Sequence, residues 1–292
     1  MKPIVFTITS QRALTIGNLL QSELFECASV AAKDTSSQPS ADSLISDFGS
    51  VLFGVKGQSS FGFRLSFDGK TYQLSISPFA TPSDWTGAIF FLKMLLAILE
   101  ADSCQLRGMS YTVDTIDSFN FNSMVLNGIS TIAKTLQENP QIQLDGVHRP
   151  IYINQLYFGQ IVHVPDDQLL VGYDQRFKLT QQINAYYSEQ QIFTIKSEEE
   201  EYVFPVNYLN SEVLTVLPAK SELTLENLRQ FGDKKNLEAR LFIINSAGNK
   251  LAEVPYNQFL ESLSEGIFML DAKYVVVEPF NSKLEQVLSP FR

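Results

Sequence analysis

The sequence predicts an α+β protein in which antiparallel β-hairpins pack on a central buried helix, residues 82–99. Three observations carry that prediction. FGFRLSFDGKTYQLSIS, residues 61–77, alternates apolar and polar residues on both sides of Asp68-Gly69, the pattern of two strands joined by a tight turn. TPSDWTGAIFFLKMLLAIL, residues 81–99, opens with helix-start chemistry and then runs almost wholly apolar. Beyond residue 140, short strand patterns mix with short helix patterns, and no repeat of fixed period occurs.

Taken in order, PIVFTIT at 3–9 alternates, is rich in β-branched residues and reads as a strand. Thr15 is placed to cap a short helix, IGNLLQSELF at 16–25. KDTSSQPSAD at 33–42 has no periodicity and reads as a loop. In the 61–77 hairpin, Phe61, Phe63, Leu65 and Phe67 share one face, and Asp68-Gly69 predicts a type I′ turn. Thr81 predicts the N-cap of the next helix, with Pro82 at its first position and Asp84 closing a capping box. That helix is apolar on every side, so it reads as buried, with Asp84 a cap and Trp85 core.

CQLRGMSYTV at 104–113 predicts a strand, and MVLNGISTIAKTLQEN a helix started by Asn122-Ser123 and ended by Pro140. QIQLDGVHRPIYIN at 141–154 repeats the Asp-Gly signal and predicts a second hairpin. Residues 175–190 read as helical; QIFTIK, SEEE and YVFPVNYL read as a strand, a turn and a strand. LTLENLRQF reads as a short helix and EARLFIIN as a strand followed by a turn at Gly248. PYNQFLESLSE predicts a helix, IFMLDAKYVVVEPF a strand or strand pair, and NSKLEQVL a closing helix. The seam is expected near Gln137–Gln141, giving regions 1–139 and 140–292, or one large unit.

Of 292 residues, 45% are apolar, enough for a sizeable core and too many for a disordered chain. Charged residues are 18% and the net charge is −10. An acidic surface repels nucleic-acid backbones and anionic lipid, and the densest basic run, Lys234-Lys235, sits between Asp233 and Glu238. Nucleic acid is therefore not an expected partner, and a basic protein is. Trp85–Leu99 is shorter than the roughly 20 residues of a membrane span and carries Lys93, so no membrane association is expected. Cys27 and Cys104 read as reduced thiols, and the start lacks a signal-peptide core; both predict a cytoplasmic protein.

No motif carries chemistry. Gly69-Lys70-Thr71 has the tail of a phosphate loop, but Arg64 stands where that loop needs a glycine. His148 and His163 fit no metal-ligand spacing, and neither flanks a nucleophile elbow or a paired-cysteine motif. Neither a cofactor nor a metal is expected. The one dense carboxylate run, Glu198, Glu199, Glu200 and Glu201, falls in a predicted hairpin turn. It reads as a solvated tip or as an acidic contact for a basic partner; it lacks the alternating oxygens and glycine of a calcium loop. Tyr186-Tyr187, Tyr202 and Tyr208 add aromatic candidates for an interface, although aromatics fill cores first.

TPSDWTGAIFFLKMLLAIL, then HRPIYIN at 148–154 and DAKYVVVEPF at 271–280, occur in an order that resembles an uncharacterised domain-of-unknown-function family of cytosolic proteins from Gram-positive, streptococcal-type bacteria. The resemblance covers nearly the whole chain and rests on packing residues. It implies compartment and single-chain organisation, and no catalytic residue.

The functional expectation is a cytosolic protein-interaction or regulatory protein, immunity-like and without catalytic activity, acting through an acidic or aromatic face. One alternative is a hydrolase whose site is assembled from dispersed residues. A pocket gathering His148 or His163 with carboxylates or a thiol would mark it. A second is a small-ligand-binding protein.

Overall fold

The computed structural model describes residues 2–32, 39–197, 200–232 and 234–291. The loop expected at 33–42 therefore lies outside the described residues over 33–38. The fold is α+β. The chain divides into two compact units, Met1–Gln182 and Ile183–Arg292, so the seam expected at 139/140 falls inside the first.

The first unit holds β1 (Ile4–Thr9), α1 (Ile16–Leu19), β2 (Phe25–Ala32), β3 (Phe48–Val55), β4 (Phe63–Phe67), β5 (Thr71–Ile76) and α2 (Pro82–Leu99). It continues with β6 (Cys104–Leu106), β7 (Met109–Tyr111), α3 (Asn122–Glu138), β8 (Gln141–Asp145), β9 (Pro150–Asn154), α4 (Gln155–Val162) and α5 (Leu169–Gln182). Seven strands form one sheet in the order β2-β3-β4-β5-β1-β6-β7; β8 and β9 pair separately. Alternation sets the faces: Phe63, Leu65 and Phe67 are buried, while Arg64 and Ser66 point the other way.

Helix α2 packs on the buried face. Thr81 and Asp84 close the expected capping box, with Pro82 in the first turn. Phe91 lies 4.9 Å from Phe63 and 5.1 Å from both Phe25 and Phe53, ring centre to ring centre. Gly87 lets the helix approach β3, since a Cβ there would stand 2.5 Å from Val55 Cγ2. By length and composition α2 passes for a membrane span, but ten of its residues are buried in the fold. The all-round burial expected of it fails along one stripe: Thr86, Phe90 and Ala97 are exposed, Phe90 by 50%, and Lys93, Met94 and Ile98 beside them are half-buried.

Local chemistry differs from expectation at four points. The helix expected over 16–25 is a single turn, because Phe25 is drawn into the sheet, where it meets Phe63 and Phe91. The first hairpin turn centres on Gly69-Lys70: Gly69 alone has positive φ (92°), the glycine-first pattern of a type II′ turn, not type I′. Asp68 Oδ1 accepts from the N–H of Lys70 and of Thr71 instead of occupying the turn centre. Residues 104–113 form a hairpin, not one strand, folding back at Arg107 (φ 50°).

The fourth point is β8–β9. Its strands are where expected, but the loop spans 146–149 and is shaped by Gln181. The Gln181 amide accepts from the N–H of His148 (2.9 Å) and Arg149 (3.2 Å) and donates to the Arg149 carbonyl (3.1 Å). Helix α5 starts and ends earlier than expected over 175–190, and α4, capped by Asn154, has no counterpart among the predicted elements.

The second unit has its own core. Its elements are β10 (Tyr186–Tyr187), β11 (Gln191–Lys196), β12 (Glu201–Asn210), β13 (Thr215–Pro218), α6 (Leu225–Phe231), β14 (Lys235–Asn236) and β15 (Arg240–Ile244). β16 (Lys250–Pro255), α7 (Tyr256–Ser262), β17 (Ile267–Met269), β18 (Tyr274–Val277) and α8 (Leu284–Leu288) follow. One sheet runs β10-β13-β18-β17; the other runs β11-β12-β15-β16, with β14 also on β12. The β12–β15 and β10–β13 pairs are parallel, so this unit is not built of hairpins alone. Leu209, Leu241, Ile243, Val254, Phe259 and Val277 lie in its core.

Candidate functional site

The carboxylate run sits at the β11–β12 turn, as its sequence predicts. Glu198 and Glu199 lie outside the described residues. Glu200 and Glu201 are drawn into a local charge network. The antiparallel register sets Lys196 opposite Glu201, and the parallel pair β12–β14 sets Lys235 beside Tyr202. Glu201 meets Lys234 at 3.1 Å and Lys196 at 3.6 Å; Glu200 pairs with Lys235 and accepts the Tyr202 hydroxyl.

The lysines act on the titration of both groups. The Lys235 ammonium first, and the Tyr202 hydroxyl second, hold the Glu200 carboxyl below its ordinary range. Lys234 does the same to Glu201, with help from Lys196. The described half of the acidic run is thus balanced by lysines of its own unit.

The strand entering that turn is the more unusual feature. β11 is a sheet edge, yet Phe193 is 36% and Ile195 51% exposed. Soluble proteins normally blunt an edge with charge, a bulge or proline, because its unpaired backbone groups template another strand. On the same face Phe193 lies 6.1 Å from both Phe204 and Phe242, and Tyr208 stands edge-on to Phe242 at 5.8 Å. The sequence shows the strand and the flanking charges. It does not show the exposure, because an alternating apolar strand ordinarily implies a covered face.

The other sequence candidates scatter. His148 Nε2 stands 3.3 Å from Glu26 Oε1 on β2. Cys27 is the next residue along that strand, so its side chain turns to the opposite face, and burial pushes its thiol pKa up. That is no Cys-His pair. Burial likewise pushes Cys104 up to about 11. β2 and β6 are five strand spacings apart, about 24 Å at ~4.8 Å each, so the two free thiols cannot bond. His163 is exposed at the end of α4. Two clefts, one in each unit, are lined by neither histidine and neither cysteine. Among the described residues no three His, Cys, Asp or Glu side chains are grouped to hold a metal.

Sheet-and-helix units of this kind place the protein in the α+β class, and the sequence assigns it further. The chain belongs to the family described as Domain of unknown function (DUF4299), whose model matches residues 3–286. No curated protein and no solved structure matches it.

Proposed function

We propose that this chain is a non-catalytic interaction protein of the bacterial cytoplasm that docks a basic partner polypeptide along β11. The observation that carries the reading is an edge strand with exposed Phe193 and Ile195. An added strand gains main-chain hydrogen bonds for affinity, and alternate side chains supply specificity. Phe193 and Ile195, with half-buried Phe242 beside Phe193, offer the apolar contact. The net charge of −10 favours a basic partner, and two free cysteines agree with a reducing compartment.

The test is affinity capture from the protein's own producing cells at two salt concentrations, with wild type and Ile195→Asp side by side. Ile195 is exposed, so the substitution is expected to change stability by no more than about 0.5 kcal/mol. Wild type retains one stoichiometric protein that Ile195→Asp loses. Equal capture by both, or none by wild type at either salt, refutes the reading.

A further inference from the structure

The face of the seven-stranded sheet turned away from α2 carries a cleft of about 500 Å³ in the first unit. Its floor follows from strand alternation. Arg64 and Ser66 come from β4, Ser75 and Ser77 from β5 and just beyond it, and Ser50 from β3. Register puts Arg64 directly across from Ser75 on one side and from Leu52 on the other. Among the described residues, Arg64 makes no ion pair and no side-chain hydrogen bond, and the hydroxyls of Ser50, Ser66 and Ser75 are equally uncommitted. The Ser77 hydroxyl accepts from the Phe79 N–H at 3.2 Å.

Arg64 is half-buried with no acidic side chain in contact, so its planar guanidinium fork is free for a carboxylate or phosphate held by two hydrogen bonds. Hydroxyls around it supply neutral donors that stabilise an anion without fixing its charge. Phe79 and Leu144 form apolar walls. We infer that this cleft binds a small molecule bearing an oxyanion, a phosphate or a carboxylate, with Arg64 as its anchor and an apolar body against Phe79 and Leu144. Asp145, also in the lining, accepts from a hydroxyl or ammonium of the same ligand. The site lies in the first unit, so it stands or falls independently of docking along β11.

The test is calorimetric titration of the full chain with inorganic phosphate, phenyl phosphate and benzoate. Phenyl phosphate is expected to bind more tightly than phosphate, because only it reaches the apolar walls. Arg64→Gln should weaken it about tenfold or more, as losing a charge-assisted anchor does, while Arg12→Gln, remote from the cleft, leaves it unchanged. Benzoate against phenyl phosphate distinguishes a carboxylate site from a phosphate site. Should Arg64→Gln fail to fold, wild type is treated with butanedione and digested: Arg64 is modified in the free protein and protected by the bound anion. Saturable binding untouched by Arg64→Gln, no binding of all three at millimolar concentration, or an unprotected Arg64 overturns the assignment.

Discussion

At Asp84 a fully buried carboxylate gathers the backbone N–H groups of Ser60, Phe61, Gly62 and Thr81, and the Thr81 hydroxyl. Burial raises its pKa while those four N–H groups pull it down. One side chain thereby starts α2 and ties down the segment entering β4. Asp84→Ala would leave several buried donors unpaired at about 1–3 kcal/mol each, so a loss above about 4 kcal/mol is expected in urea unfolding. A loss below about 1 kcal/mol would show that water replaces the carboxylate without cost. The capping half of this role is legible in Thr81-x-x-Asp84; the clasp on 60–62 is not, because nothing local to the helix encodes it.

Glu200 and Glu201 allow a sharper measurement at the same scale. Their lysine and tyrosine partners depress both pKa values, so their contribution to folding is complete above the ordinary glutamate value of 4.5. It is lost as pH falls through the depressed values. Carboxyl carbon NMR should find both groups titrating below 4.5, and Lys235→Ala should return Glu200 toward it. An unmoved Glu200 would mean that the pair does not persist in solution. Reading the sequence finds the glutamates but not their neutralisation. Lys234 and Lys235 are brought to them by the parallel β12–β14 pair, a non-local contact.

At the scale of elements, α2 is the test of the first unit's core. Leu95 is fully buried, so Leu95→Ala should cost about 2–5 kcal/mol, the range for a leucine whose cavity only partly collapses. Denaturant unfolding followed by Trp85 fluorescence reads it directly, since Trp85 is the only tryptophan and lies in the same core. A cost under half a kcal/mol, about the scale of a surface substitution, would remove α2 from the core. Periodicity made this helix and both early hairpins legible, because each pattern is local. The turns were not: Asp-Gly predicts the same closure twice, yet Asp68 serves as an acceptor in one and Gln181 reshapes the other. The half-exposed Phe90 escaped for a related reason. Composition says how apolar a helix is, and only the sheet's extent says which sides it covers.

Across the whole molecule, charge and edge exposure act on different steps of binding. A net charge of −10 acts at long range, so it sets how fast a basic partner arrives. Salt shortens that reach to about 10 Å at 0.1 M. The lysine pairs around Glu200 and Glu201 neutralise only the turn, and leave the field of the rest in place. Phe193 and Ile195 act at contact range, so they set how long the partner stays. Surface plasmon resonance with the captured partner should therefore separate the two. Raising salt should slow association by about tenfold or more with little change in dissociation. Ile195→Asp should speed dissociation while leaving the salt dependence of association intact. If salt acted only on dissociation, charge would belong to the contact itself, and the partner would be sought by its fit to the turn and not by its net charge.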